Sequence, residues 1–164
     1  MSVIGNPLLL LDNVIWLIKD GKLSTRYTAT RYGGSYLSED SNGYVVLHSN
    51  AASNTYATCA FAAIDLTKYN KLVFDGQARG YYRAGCPAVG VLSNIASGSS
   101  YSTFSNYYQL LSATTNNLST RATVSINISA LTGNKQIGFQ EAGSGSSNAQ
   151  GDIYCYNLYL TTAS

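Results

Sequence analysis

Charge is scarce in this sequence: only 11% of its 164 residues are Asp, Glu, Lys or Arg, and they sum to +2. Recruiting nucleic acid or an anionic membrane takes a clustered basic face, which so mild a balance does not supply, so no nucleic acid is expected as a partner. Histidine occurs once, at His48, which leaves a nucleophile-and-base triad one candidate base. On the alternating segment Tyr44 to His48 that imidazole shares a face with Tyr44 and Val46, the position of a partly buried structural side chain. The three cysteines, Cys59, Cys86 and Cys155, are far apart, odd in number and without the spacing of a zinc site. They read as reduced, strand-buried small hydrophobes. No metal or other cofactor is expected.

Long apolar runs are missing too. Leu8, Leu9, Leu10 and Leu11 are followed by Asp12 and Asn13 before Val14 to Ile18 resume the pattern, short of the about 20 residues a membrane span needs. No basic segment precedes them, so neither a signal peptide nor membrane insertion is expected, and residues 1–12 read as an apolar arm that packs on its own domain or a neighbouring subunit. The glycines of 143–151 lack the lysine and following helix of a phosphate-binding loop and read as a flexible connection. The carboxylates Asp12, Asp20, Glu39, Asp40, Asp65, Asp75, Glu141 and Asp152 are scattered, several in turns where they cap backbone amides. A glycosidase would need two of them opposed across a cleft, Asp75 with Glu141 being the pair to consider, but the spread speaks for structural duty and against an enzyme. The acidic turn Glu39-Asp40-Ser41-Asn42 offers oxygens to calcium without the ligand spacing of an EF-hand.

What is present is strand material: 14 Tyr, 15 Gly and short hydrophobic runs parted by polar turns. Asp20-Gly21 between Val14–Lys19 and Lys22–Thr28 predicts a tight hairpin. Further strands are expected over 44–48, 55–64, 88–93, 122–128, 135–141 and 152–161, and within 65–79 a Thr/Asn-containing bend is expected to feed a hydrophobic strand. In Val124-Ser125-Ile126-Asn127-Ile128 the strict alternation sends three β-branched residues to a core. Tyr101, Phe104, Tyr108 and Leu111 recur at helix-like intervals, so residues 101–112 read as a short helix or a packed loop. The expected fold is all-β: residues 13–164 as one two-sheet antiparallel sandwich of jelly-roll type, behind a hydrophobic amino-terminal arm.

Tyrosine and arginine together mark candidate binding surface. Arg79, Tyr81, Tyr82 and Arg83 fall in one stretch, and Tyr101, Phe104, Tyr107 and Tyr108 in another. Tyrosine brings area at little entropic cost and arginine stacks and donates hydrogen bonds, which suits sugars and protein surfaces alike. The alternative is that these rings simply cover the sheets.

Two portions carry a resemblance. Met1-Ser2-Val3-Ile4-Gly5-Asn6-Pro7-Leu8-Leu9-Leu10 resembles the amino end of virion and tail-associated proteins of bacteriophages of Gram-positive gut bacteria. The stretches Leu17 to Gly21, Asp65 to Leu72 and Ile153 to Leu160 are similar to the jelly-roll domains of such proteins, which in turn resemble carbohydrate-binding modules. The resemblance implies a non-enzymatic virion structural or accessory protein, decorating a capsid or attached to a tail and assembled in host cytoplasm. Its partners would be other virion proteins and further copies of itself, held through Leu8 to Leu11, each worth up to about 1.5–3 kcal/mol when buried. The alternative it implies is a receptor- or glycan-binding module at the host surface. Two departures stand out: Asn157 where many such modules have Asp in the closing strand, and a lone tryptophan, Trp16.

Overall fold

In this computed structural model the structure describes residues 13–49, 56–79, 85–96, 101–111, 118–142 and 152–164. Alternating polar and apolar residues, rich in β-branched and aromatic side chains, put most of them into strands. In chain order these are β1 (Val14–Lys19), β2 (Lys22–Leu23), β3 (Ala29–Tyr32), β4 (Ser35–Glu39), β5 (Val45–Ser49), β6 (Tyr56–Phe61) and β7 (Ile64–Asp65). There follow β8 (Lys71–Arg79), β9 (Ala88–Asn94), β10 (Thr103–Gln109), β11 (Ala122–Asn127), β12 (Asn134–Ala142) and β13 (Asp152–Thr161).

They form two antiparallel sheets, the sandwich expected from sequence. The seven-stranded sheet runs β11-β8-β13-β1-β2, with β5 on β13 and β4 on β5. The six-stranded sheet runs β10-β9-β12-β6-β3, with β7 on β12. Strand β13 organises the first: β8 lies along one side, while its other side pairs with β5 through Asp152–Cys155 and with β1 through Leu158–Thr161. A bulge between Cys155 and Asn157 falls where that partner changes.

Between the sheets Phe139 meets Phe61 and Phe74 edge-on, at 6.2 and 6.3 Å, among Leu17, Leu47, Leu72, Ile137 and Leu158, all buried. Each such side chain contributes about 1.5–3 kcal/mol by leaving water. All three cysteines are unpaired and buried, as expected. Burial pushes the Cys59 and Cys86 thiols up to about 12, which keeps them protonated and unreactive.

The hairpin is where the sequence places it: Asp20 and Gly21 both take positive φ, 50° and 71°. Gly21 is required twice over, because a Cβ there would sit 2.2 Å from the Gly43 carbonyl. In β11 Ile126 is buried between exposed Ser125 and Asn127. Residues 101–112 are the correction. Thr103–Gln109 is strand β10, and register shifts at Thr103/Phe104 and Phe104/Asn106 interrupt its period of two. The set expected on one helical face is split: Phe104 lies on the outer face with Tyr107, while Tyr108 packs inward on the core. Among the described residues no helix is long and apolar enough to cross a membrane.

Candidate functional site

Because strand side chains alternate, each sheet has an outer face, and the two faces are finished differently. On β13 Ile153, Cys155, Leu158 and Leu160 go into the core, leaving Asp152, Tyr154, Tyr156 and Tyr159 half-buried on the outside. On β8 Leu72, Phe74 and Ala78 go in, and Asp75, Gln77 and Arg79 go out. Register then sets neighbours across strands: Asp152 lies between His48 and Arg79, Tyr154 beside Gln77, and Tyr159 opposite Trp16. The rings form a band of three groups along this face. Trp16 and Tyr159 lie 4.5 Å apart, Tyr44 meets Tyr154 and Tyr156 edge-on at 5.1 and 5.5 Å, and Tyr36 lies 4.9 Å from His48.

Polar groups sit among these rings and hold one another. Arg121, just before β11, donates through Nε and Nη2 to both oxygens of Asp75, at 2.8 and 2.6 Å, and its guanidinium lies 3.8 Å from the Tyr156 ring centre. Asn157 donates from Nδ2 to Asp75 at 2.9 Å and accepts at Oδ1 from the Asp20 amide at 2.9 Å. A carboxylate at position 157 could accept but not donate, so this network explains why the chain carries Asn157. The Arg121 hydrogen bonds hold the Asp75 carboxyl below its usual range, against the opposing effect of burial and with help from Asn157. At the far end of β13, Asp152 bonds the His48 Nδ1 and accepts from the Tyr154 hydroxyl at 3.0 Å. Burial, then the Asp152 carboxylate, push the Tyr154 phenol up to about 12, so it stays a donor.

The six-stranded sheet is closed over. Its outward residues Thr58, Ala60, Ala88, Leu92 and Gln140 are buried. Gln140 takes hydrogen bonds at Oε1 from the Ser102 amide at 2.7 Å and the Thr58 hydroxyl at 3.1 Å. Its amide nitrogen donates to the Ser102 carbonyl at 3.1 Å and to Cys86 Sγ at 3.3 Å. Tyr101 caps this knot edge-on to Tyr56 at 5.0 Å. Gly90 leaves the space that Tyr107 fills, since a Cβ there would lie 2.5 Å from the Tyr107 Cβ.

The residues picked from sequence therefore do not form one surface. Arg79 lies on the seven-stranded face, Phe104 and Tyr107 on the six-stranded one with Tyr101 beside them, and Tyr108 packs inward on the core. Tyr81, Tyr82 and Arg83, like Leu8 to Leu11, lie outside the described residues. The sequence reading missed Trp16, Tyr36, Tyr44, Tyr154, Tyr156 and Tyr159. The one signal available was the spacing of Tyr154, Tyr156 and Tyr159 around buried Cys155 and Leu158.

The carboxylate pair weighed for glycoside hydrolysis is taken apart. Asp75 faces outward, whereas Glu141 is fully buried on β12, with neither carboxylate oxygen hydrogen-bonded. Burial, with Asp152 adding to it, raises the Glu141 proton affinity well above the usual range. In the acidic turn Glu39 accepts from Lys22 Nζ and the Leu23 amide, and Asp40 accepts from Asn42, so those oxygens already have partners. Among the described residues no three His, Cys, Asp or Glu side chains converge on a metal position.

No protein-family model matches the chain, and no curated protein does either. Its fold has relatives. It is similar to a Family 11 carbohydrate-binding module from Clostridium thermocellum, solved in complex with a β-1,3-1,4-mixed-linked tetrasaccharide. The TM-score is 0.53 and the identity 13%, over 92% of this chain and 96% of that one. The Family 11 module of a cellulosomal cellulase from the same organism gives 0.52 at 13% identity, over 88% and 92%. A low-affinity xylan-binding module from Roseburia intestinalis gives 0.48 at 16% identity, over 90% and 92%. The chain thus has the β-sandwich jelly-roll fold of carbohydrate-binding modules. These neighbours lend no support to the virion reading.

Proposed function

We propose that this protein is a non-catalytic glycan-binding module whose ligand lies along the outer face of the seven-stranded sheet. The observation that carries this is the open band of Trp16, Tyr36, Tyr44, Tyr154, Tyr156 and Tyr159 with Asp75, Gln77, Arg79, Arg121 and Asn157 set among them. Aromatic rings give a sugar's apolar face a surface, and fixed donors and acceptors between them orient its hydroxyls. Arg121, Asp75 and Asn157 hold one another in place, so little ordering is left to do on binding. Along β13 from Asp152 to Tyr159 the face extends about 23 Å at about 3.3 Å per residue, room for several linked sugars. The separation of Asp75 from Glu141 supports binding without hydrolysis.

Titration calorimetry against a panel of soluble polysaccharides tests this. Binding to at least one of them is expected, falling by tenfold or more in Tyr154→Ala and Trp16→Ala. Absence of binding to any glycan, or affinity unmoved by both substitutions, rejects the reading.

A further inference from the structure

We infer that the glycan taken by this face is an acidic polysaccharide, one whose sugar units carry carboxylates, with Arg79 as a pairing group. This rests on the glycan-binding reading and names its ligand class. Cations stand over the band's rings: Lys19 Nζ lies 5.3 Å from the Trp16 ring centre, the Arg79 guanidinium 5.4 Å from that of Tyr154 and that of Arg121 3.8 Å from Tyr156. A cation over a ring holds a positive charge in a set position on the aromatic surface.

The outward charges of this sheet are unequal in sign. Lys19, Lys22, Lys71, Arg79 and Arg121 outnumber Glu39, Asp75 and Asp152 on its strands and beside them, and Glu39 is taken up by Lys22. Asp75 is engaged by Arg121, and Asp152, though across from Arg79 in register, is bonded to His48 and the Tyr154 hydroxyl. Among the described residues no carboxylate forms an ion pair with Lys19, Lys71 or Arg79. The outward positions of β6, β9 and β12 on the other sheet carry no charge at all. Unpaired cations of one sign on an aromatic face gain little from a neutral glucan and much from a carboxylate, whose planar oxygens match a guanidinium.

The test measures affinity of the whole chain for polygalacturonate, dextran sulfate and a neutral mixed-linked β-glucan. Measurements are made at salt of about 0.01 M and about 0.15 M, between which the screening length falls from about 30 to about 8 Å. Polygalacturonate is expected to bind about tenfold or more tightly than β-glucan at low salt and to lose most of that margin at high salt. Arg79→Gln, at an exposed position that does not threaten folding, is expected to cut the polygalacturonate-to-glucan ratio about tenfold, and Arg79→Lys to cut it less. A β-glucan bound as tightly as polygalacturonate, with no salt dependence, overturns the acidic ligand while leaving the glycan-binding reading intact. Dextran sulfate binding as well as polygalacturonate overturns the carboxylate assignment. No binding to any of the three, with the wider panel also negative, rejects both readings.

Discussion

On the six-stranded sheet the outward tyrosines stand over a buried polar knot, whereas on the seven-stranded sheet they stand among ion pairs at a surface open to solvent. Both faces draw on the same residue type, so tyrosine content does not separate them. What separates them is what the neighbouring strands contribute. Opposite Tyr56 the chain supplies Ser102 and Gln140, uncharged groups that satisfy each other and shut water out. Around Tyr154 and Tyr156 it supplies Asp75, Arg79, Arg121 and Asp152, which resist full burial and keep the surface wet. One face is closed at its centre by its own side chains and the other is left wet.

Substitutions can break this contrast, and the largest effect is expected at Gln140. Gln140→Leu would leave the Ser102 amide and carbonyl and the Thr58 hydroxyl with lost partners in a dry site, costing about 3 kcal/mol of stability by chemical denaturation. Glycan affinity of the folded fraction should be unchanged; a loss of affinity would show that the closed face takes part in binding. The reverse pattern is expected for Asp75→Ala, which releases Arg121 and Asn157 from their set positions: affinity for a neutral β-glucan down about tenfold, stability down by only about 1 kcal/mol. Equal binding by that variant would mean the network is ornamental to ligand capture.

Between the faces lies Glu141, whose proton affinity is raised in the folded state. Below the usual glutamate range both folded and unfolded chains carry the proton, and the group is silent. As pH rises through that range the unfolded chain ionises while the folded one does not, so stability falls until the folded carboxyl also ionises. Glu141→Gln should remove this slope and stabilise the protein at neutral pH by about 1 kcal/mol or more. Parallel pH profiles of the two proteins would refute it. The smallest effect is expected at Tyr107, half exposed on the closed face: Tyr107→Ala should leave glycan affinity within about twofold of the parent.

Much of the architecture was legible in the chain. Asp20-Gly21 fixed a hairpin because few other pairs take positive φ at both positions, and Val124 to Ile128 announced its buried side by strict alternation. The strand at Thr103–Gln109 was not legible, since Phe104 and Tyr108, which local spacing puts on one helical face, lie on opposite faces of a strand with register shifts. The site was mostly hidden. Tyrosines at 154, 156 and 159 are consistent with an outer face, but nothing local says that Asn157 among them meets Asp75, 82 residues away.

The sequence by itself determined the class of fold, the buried and unpaired state of the cysteines and which side of each strand seeks the core, because these follow from composition and a period of two. Only the tertiary structure decided which tyrosines stand among charged groups and which over a buried polar knot. That choice depends on strand order and register, which bring Arg121, Asp75 and Asn157 together on one sheet and lay Ser102 over Gln140 on the other. Such pairings join residues far apart in the chain, and it is long-range packing of the core, not any local preference, that selects them.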